Sequence, residues 1–139
     1  MMLRCINNEE SRAPKGLIGP VQPHPEYVHE SLTVGRDYIV YGLSIFADNL
    51  KALIANDSGY PRWYAPHFFE SVDARLPAHW EFRYFVMEST DPWQRRTFQA
   101  MWGYSELVQN EDHNTGLQEL EPADLEIFRH QVELSRETG

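Results

Sequence analysis

The sequence predicts a mainly β protein with C-terminal helices, an α+β fold, on three observations. Apolar side chains alternate with a period of two over residues 37 to 46, as expected for a strand. Turn-forming Asp, Asn, Ser and Gly residues separate this segment from two further short segments, 51 to 56 and 60 to 65. A last helix is expected to start at Glu121-Pro122, because proline is favoured in the first turn of a helix. The 139 residues, 42% of them hydrophobic, are expected to form one compact domain.

The N-terminal part is expected to hold one strand and one long loop. Residues 3 to 7 are short and apolar enough for a strand. Residues 11 to 31 contain four prolines and two glycines, which exclude a persistent helix or a central strand. We therefore expect this Pro-rich segment to be a loop that lies over the body of the domain.

Residues 32 to 73 resemble the SH3-like barrels that are common in small bacterial and phage proteins. The matching residues are Thr33, Val34, Gly35, Tyr38, Val40, Asp57, Gly59, Trp63, Tyr64, Phe69 and Glu70. The resemblance implies a small β-barrel with a one-turn helix that ends in Phe69-Glu70, and the strand at 3 to 7 would close it. Such barrels host many unrelated activities, so the resemblance bears on the fold rather than on the function.

The segment NDSGYPRWYAPHFFE, residues 56 to 70, contains the large side chains that a small barrel needs in its core. Either Trp63 or Tyr64 is expected inside, together with one of the two phenylalanines that follow. Because alternation directs one face of a strand inward, either Tyr60, Arg62 and Tyr64 or the Trp63 face should stay partly exposed. The first set is a candidate partner-binding surface. Gly59 is expected to take a positive φ in the preceding turn.

The segments between the barrel and the last helix are less uniform. Residues 79 to 89 alternate like a strand, and a helix is the alternative. Residues 90 to 92, Thr-Asp-Pro, predict the start of a helix that runs to Gly103. A short helical turn and a polar loop are expected to follow. The domain would thus combine a barrel at 1–89 with a helical extension at 90–139 packed on it.

The last helix carries two apolar stripes, whereas a surface helix needs one. The stripe formed by Leu125, Phe128 and Val132 is expected to anchor the helix on the barrel. The second stripe, formed by Ala123, Ile127 and Leu134, is either a modest exposed patch, a contact with a chain terminus, or a site for another protein. The candidate partner-binding residues of this helix are Asp124, Glu126, Ile127, Glu133 and Leu134.

Negative charge is concentrated at the C-terminal end. Residues 1 to 103 carry a net charge of −2 and residues 104 to 139 carry −7, which gives −9 for the chain. Such a charge repels phosphates, so we expect no binding to nucleic acid at physiological salt. A basic protein partner fits the charge better, and a merely solvated acidic face is the alternative.

No catalytic, metal-binding or cofactor-binding motif is recognisable. The six histidines lack the spacing of metal ligands, and no nucleophile elbow, dinucleotide fingerprint or phosphate-binding loop occurs. We therefore expect that the protein is not an enzyme and that it binds neither a metal ion nor a cofactor. Cys5 is the single cysteine, and no apolar run approaches the length of a signal core or a membrane span. The protein is expected to be soluble and cytoplasmic, without membrane contact.

In size, charge and barrel type the chain resembles the immunity proteins of bacterial toxins, which neutralise a basic nuclease by covering its active site. The resemblance implies a non-enzymatic protein-binding module. Its partner would be a basic protein or a second copy of the chain. The alternatives are a phage or mobile-element accessory protein of the same fold and a nucleic-acid-binding barrel, which the charge opposes.

Overall fold

The computed structural model describes residues 1–9, 31–46, 48–85 and 98–138. Within them the chain forms a 7-stranded antiparallel sheet followed by helices. The strands are β1 (Met2–Cys5), β2 (Asp37–Phe46), β3 (Asn49–Ala55), β4 (Pro61–Tyr64), β5 (Phe69–Asp73), β6 (Glu81–Tyr84) and β7 (Phe98–Gly103). The helices are a short 3₁₀ helix (Pro66–Phe68), α1 (Ser105–Gln109), α2 (Glu111–Gln118) and α3 (Pro122–Thr138). The predicted α+β class, mainly β with C-terminal helices, is confirmed.

Strand β2 joins the two parts of the sheet. Its first residues pair with β1, which pairs in turn with β5. Its remaining length lies between β3 and β7, and β4 and β6 extend the sheet on either side. A register shift between Val40 and Gly42 bends the strand locally. Among the described residues β4 and β5 end the strand order without pairing with each other, so the sheet is not closed and a barrel is not confirmed.

Two clusters of buried side chains form the hydrophobic core. The first lies among β1 to β5 and includes Cys5, Leu32, Tyr38, Val40, Ala52, Ile54, Tyr64, Phe68 and Phe69. The second attaches the helices to the sheet and includes Tyr41, Leu53, Met101, Tyr104, Leu107, Val108, Leu117 and Phe128. Adjacent strand residues, such as Leu53 and Ile54, belong to different clusters because successive side chains point to opposite faces.

The local signals of the strands predicted several elements closely. β2 begins at Asp37 and ends at Phe46, as predicted. Gly59 has a φ of 83°, the positive value expected in the turn before β4. The described part of the ambiguous segment 79–89 contains β6, a strand rather than a helix. The last helix begins at Pro122, one residue after Glu121, as predicted.

Two predicted elements are wrong. The helix expected to run to Gly103 is a strand over its described part, because β7 finds backbone partners in both β2 and β6. Pairing with distant strands thereby overrides the local helix signal. The polar loop expected before the last helix is α2, which begins after Asn110, whose side chain accepts a hydrogen bond from the backbone N–H of Asp112. The Pro-rich loop lies outside the described residues except for Ser31, as do residues 91–97.

Candidate functional site

The strand-borne candidate residues separate into an exposed and a buried group. Tyr60 and Arg62 are exposed, which agrees with the alternative that placed them on the outer face of the strand. Trp63 is half-buried. Tyr64, expected on the same surface as Tyr60 and Arg62, instead lies in the first core cluster with 3% of its surface exposed. The side chain of Tyr64 is therefore enclosed by neighbouring rings and cannot reach a partner.

The turn before β4 is held by a polar cluster around Asp57. The carboxylate accepts hydrogen bonds from Thr33 Oγ1 at 2.6 Å, Arg36 Nη1 at 2.6 Å and the Tyr38 hydroxyl at 2.7 Å. Burial would raise the pKa of Asp57, but the bonds from Thr33 and Tyr38 and the charge of Arg36 hold it below its ordinary value. Burial, reinforced by Asp57, raises the pKa of Tyr38 to about 12. Thr33, Tyr38 and Asp57 are among the residues that resemble those of SH3-like barrels. Their contacts give them a structural role in the turn.

A buried hydrogen-bonded chain links the helices. His113 is 1% exposed, and its Nε2 lies 2.6 Å from the Tyr104 hydroxyl while its Nδ1 lies 2.8 Å from Asp124 Oδ1. Burial raises the pKa of Tyr104, whose hydroxyl is hydrogen-bonded to Nε2, and the carboxylate of Asp124 accepts a hydrogen bond from Nδ1. Both ring nitrogens are thus engaged and shielded from solvent. This arrangement helps to hold α2 against α3. Asp124, a candidate partner-binding residue, takes part in it.

This buried chain had no sequence signal. Tyr104 precedes α1, His113 lies in α2 and Asp124 lies in α3, so the periodicity of a single helix does not relate the three residues. A single histidine inside a polar segment reads as a surface residue, and only the packing of α2 on α3 buries it.

The remaining candidate residues of α3 lie in different surroundings. Glu126 and Glu133 are exposed to solvent. Ile127 is half-buried and packs against the second core cluster, so it does not belong to a free apolar stripe. Leu134 is 40% exposed and lines a cleft of about 520 Å³ that also borders Tyr41 and Trp80. The second stripe is therefore partly core and partly surface.

Exposed aromatic side chains that were not singled out in the sequence lie on β6. Tyr84 is 67% exposed and Phe82 is 54% exposed, and both project from the same face of the strand. The Phe82 ring lies against Trp102 of β7, with centroids 4.9 Å apart and the planes tilted by 37°. We refer to Phe82, Tyr84 and Trp102 as the β6 aromatic surface. In the described part of the chain, β6 pairs with β7 alone, so its other edge faces no strand.

The opposite face of β6 contacts the first two helices through polar groups. Gln109 Nε2 donates to Glu81 Oε1 at 2.9 Å, and Arg83 Nη2 lies 3.8 Å from Glu111 Oε1. Hydrogen bonds from Ser105 and Gln109 lower the pKa of Glu81, which remains a carboxylate at neutral pH. The acidic helices therefore contact β6 on the face opposite the β6 aromatic surface.

Neither a metal site nor a membrane span is visible in the described residues. They contain no group of three or more histidine, cysteine, aspartate or glutamate side chains placed to hold a metal ion. None of the helices described here combines the length and the apolar composition that crossing a bilayer requires.

Fold and surface together define an α+β protein, mainly antiparallel sheet, with acidic C-terminal helices and an exposed aromatic edge. No protein-family model, no curated protein and no solved structure matches the chain.

Proposed function

We propose that the chain is a non-enzymatic protein-binding module whose partner is a basic protein. The observation that carries this proposal is the β6 aromatic surface, where Tyr84 and Phe82 expose 67% and 54% of their area beside a strand edge that pairs with no other described strand. Large aromatic side chains are enriched among the residues that dominate binding energy in protein interfaces. An exposed strand edge also offers backbone groups that an extended segment of a partner can pair with.

The charge of the neighbouring helices selects the kind of partner. The exposed acidic residues of α1 to α3 and their connections are Glu106, Glu111, Asp112, Glu119, Glu121, Glu126, Glu133 and Glu137. The same segment carries two arginines, Arg129 and Arg136. This excess of negative charge would accelerate the approach of a basic protein and repel nucleic acid.

The finer form of the proposal is an SH3-like barrel that acts in the cytoplasm as an immunity protein against a basic bacterial toxin. The strand order β4-β3-β2-β1-β5, with a 3₁₀ helix between β4 and β5, supports the barrel type. Acidity and an aromatic contact surface suit an inhibitor that covers a positively charged active site. A phage or mobile-element accessory protein of the same fold is the alternative, and identification of the partner separates the two.

The test compares three tagged proteins: the unchanged chain, Phe82→Ser with Tyr84→Ser, and a control with Val34→Ser and Val72→Ser. The two valines are also exposed, at 54% and 44%, but lie outside the β6 aromatic surface. Proteins captured from the native host after nuclease treatment are purified and recombined with each variant. We expect a basic protein that binds the unchanged chain and the control, and binds the aromatic double variant at least about thirtyfold more weakly. Retention of nucleic acid alone, or equal binding by all three, would contradict the proposal.

A further inference from the structure

A separate cleft lies between the sheet and α2, on the part of the chain where Tyr60 and Arg62 are exposed. Its volume is about 710 Å³, within the range of small-molecule sites. The lining residues that determine its chemistry are Ser44, Lys51, Asn56, Arg62, Trp63 and Asn114. We refer to it as the β4–α2 cleft.

The walls of the β4–α2 cleft are held in place by hydrogen bonds. Trp63 Nε1 donates to Asn114 Oδ1 at 2.9 Å, which fixes the indole between β4 and α2. At the turn, Asn56 Oδ1 accepts hydrogen bonds from the backbone N–H groups of Ser58 and Tyr60, each at 3.0 Å. The cleft therefore presents a preorganised aromatic wall and an ordered rim, which reduces the entropy that a ligand must overcome on binding.

One buried polar group points to a ligand. Ser44 is 1% exposed and lines the cleft, and its Oγ has no hydrogen-bond partner within the described residues. A buried hydroxyl without a partner costs free energy, so its presence calls for an explanation in function. Ser44 is paired directly across the strands with Lys51, which places a hydroxyl donor beside a cationic side chain.

The charge of the lining is opposite to that of the chain. Among the described residues that line the cleft, the charged side chains are Lys51 and Arg62, both cationic, whereas the chain as a whole carries −9. Cations beside a hydroxyl donor suit a carboxylate or a phosphate, and the indole of Trp63 suits a flat apolar ring. We propose that the β4–α2 cleft binds a small aromatic anion, with its ring against Trp63 and its anionic head beside Ser44, Lys51 and Arg62.

Naphthalene derivatives with matched rings test this assignment. 2-Naphthoate and 2-naphthyl phosphate carry the two anionic heads, 2-naphthamide is the neutral analogue, and inorganic phosphate lacks the ring. Titrations of the 139-residue chain are followed by the NMR signal of the Trp63 indole N–H, assigned with Trp63→Phe. At least one naphthyl anion is expected to bind about tenfold more tightly than the amide and than inorganic phosphate, and the preferred anion identifies the head group.

Variants separate the site from general effects of charge. Arg62→Gln and Lys51→Gln are each expected to weaken binding of the naphthyl anion about fivefold or more, whereas Arg129→Gln on α3 makes the same charge change outside the cleft and leaves binding unchanged. Ser44→Ala is expected to weaken binding while the melting temperature of the free protein stays the same or rises. Absence of binding at millimolar anion, equal binding by Arg62→Gln and Arg129→Gln, or equal affinity for the neutral amide would overturn the proposal.

Discussion

His113 Nδ1 lies 2.8 Å from Asp124 Oδ1, and this contact links α2 to α3 at a point where the imidazole is fully enclosed. The side chain of Asp124 is 22% exposed, so the pair lies at the edge of the second core cluster. A buried imidazole without its acceptor would carry an unsatisfied N–H group. The contact is therefore expected to matter for stability.

Asp124→Ala should lower the free energy of unfolding by about 1 to 3 kcal/mol, the cost of leaving a buried donor unsatisfied. Glu126→Ala on the same helix is the control, since the exposed Glu126 should change stability by less than about 0.5 kcal/mol. Urea denaturation of both variants provides the measurement. Equal stability of the two variants would mean that the His113 contact does not hold the helices together.

Gly116→Ala tests the close packing of α2 on the same carboxylate. A Cβ added at Gly116 would overlap Asp124 and displace it from His113. Alanine favours a helix over glycine by about 1 kcal/mol, so any loss of stability must come from this overlap. We expect a net loss of about 1 to 3 kcal/mol, and a double variant with Asp124→Ala that costs less than the sum of the two. Additive losses, or a gain in stability, would show that the overlap is relieved elsewhere.

The Asp57 cluster predicts a specific dependence of stability on pH. Because the pKa of Asp57 is lower in the folded state than in the unfolded chain, its contribution is complete above the unfolded value of about 4. That contribution is lost as the pH falls through the folded value. The difference in unfolding free energy between the unchanged chain and Asp57→Asn should therefore be largest near pH 7 and shrink below about pH 4.

Thermal or urea unfolding from pH 2 to 7 measures this difference. Asp112→Asn, at an exposed position in the first turn of α2, is the control, with an effect of about 0.5 kcal/mol or less throughout. A difference for Asp57→Asn that is independent of pH would contradict the role of its carboxylate charge.

Ile127 and Leu134, the two large apolar residues of the second stripe on α3, should respond differently to truncation. Ile127→Ala should cost about 1 to 2 kcal/mol, less than a fully buried isoleucine, because Ile127 packs partly against the second core cluster. Leu134→Ala should cost less than about 1 kcal/mol, since the side chain is 40% exposed. Denaturation curves distinguish the two. Equal and small losses of unfolding free energy would indicate that both side chains lie on a free surface, and would contradict the packing of Ile127.

The sequence predicted the strands whose signals are local and missed those set by distant partners. β2 is marked by its own alternation and by flanking turns, so its limits follow from the sequence. β7 was missed because it is a strand by virtue of pairing with β2 and β6. α2 was missed because two of its inward-facing residues, His113 and Asn114, are polar and become compatible with burial only through bonds to Asp124 and Trp63.

The candidate surface was predictable only in part. Alternation restricted the exposed face of the strand at residues 60 to 65 to two choices, but could not choose between them for each residue. On β6, alternation groups Phe82 with Tyr84, but whether that face is buried depends on which elements cover the sheet. The aromatic surface therefore emerges only from the folded chain.

The most direct test of the proposed function measures the association and dissociation rates of the purified complex with its basic partner as salt is raised. Steering by exposed carboxylates predicts an association rate that falls at least about tenfold between roughly 50 and 500 mM salt. The Phe82→Ser, Tyr84→Ser variant should associate at nearly the same rate and dissociate at least about thirtyfold faster. An association rate that does not respond to salt, or a double variant that dissociates like the Val34→Ser, Val72→Ser control, would contradict it.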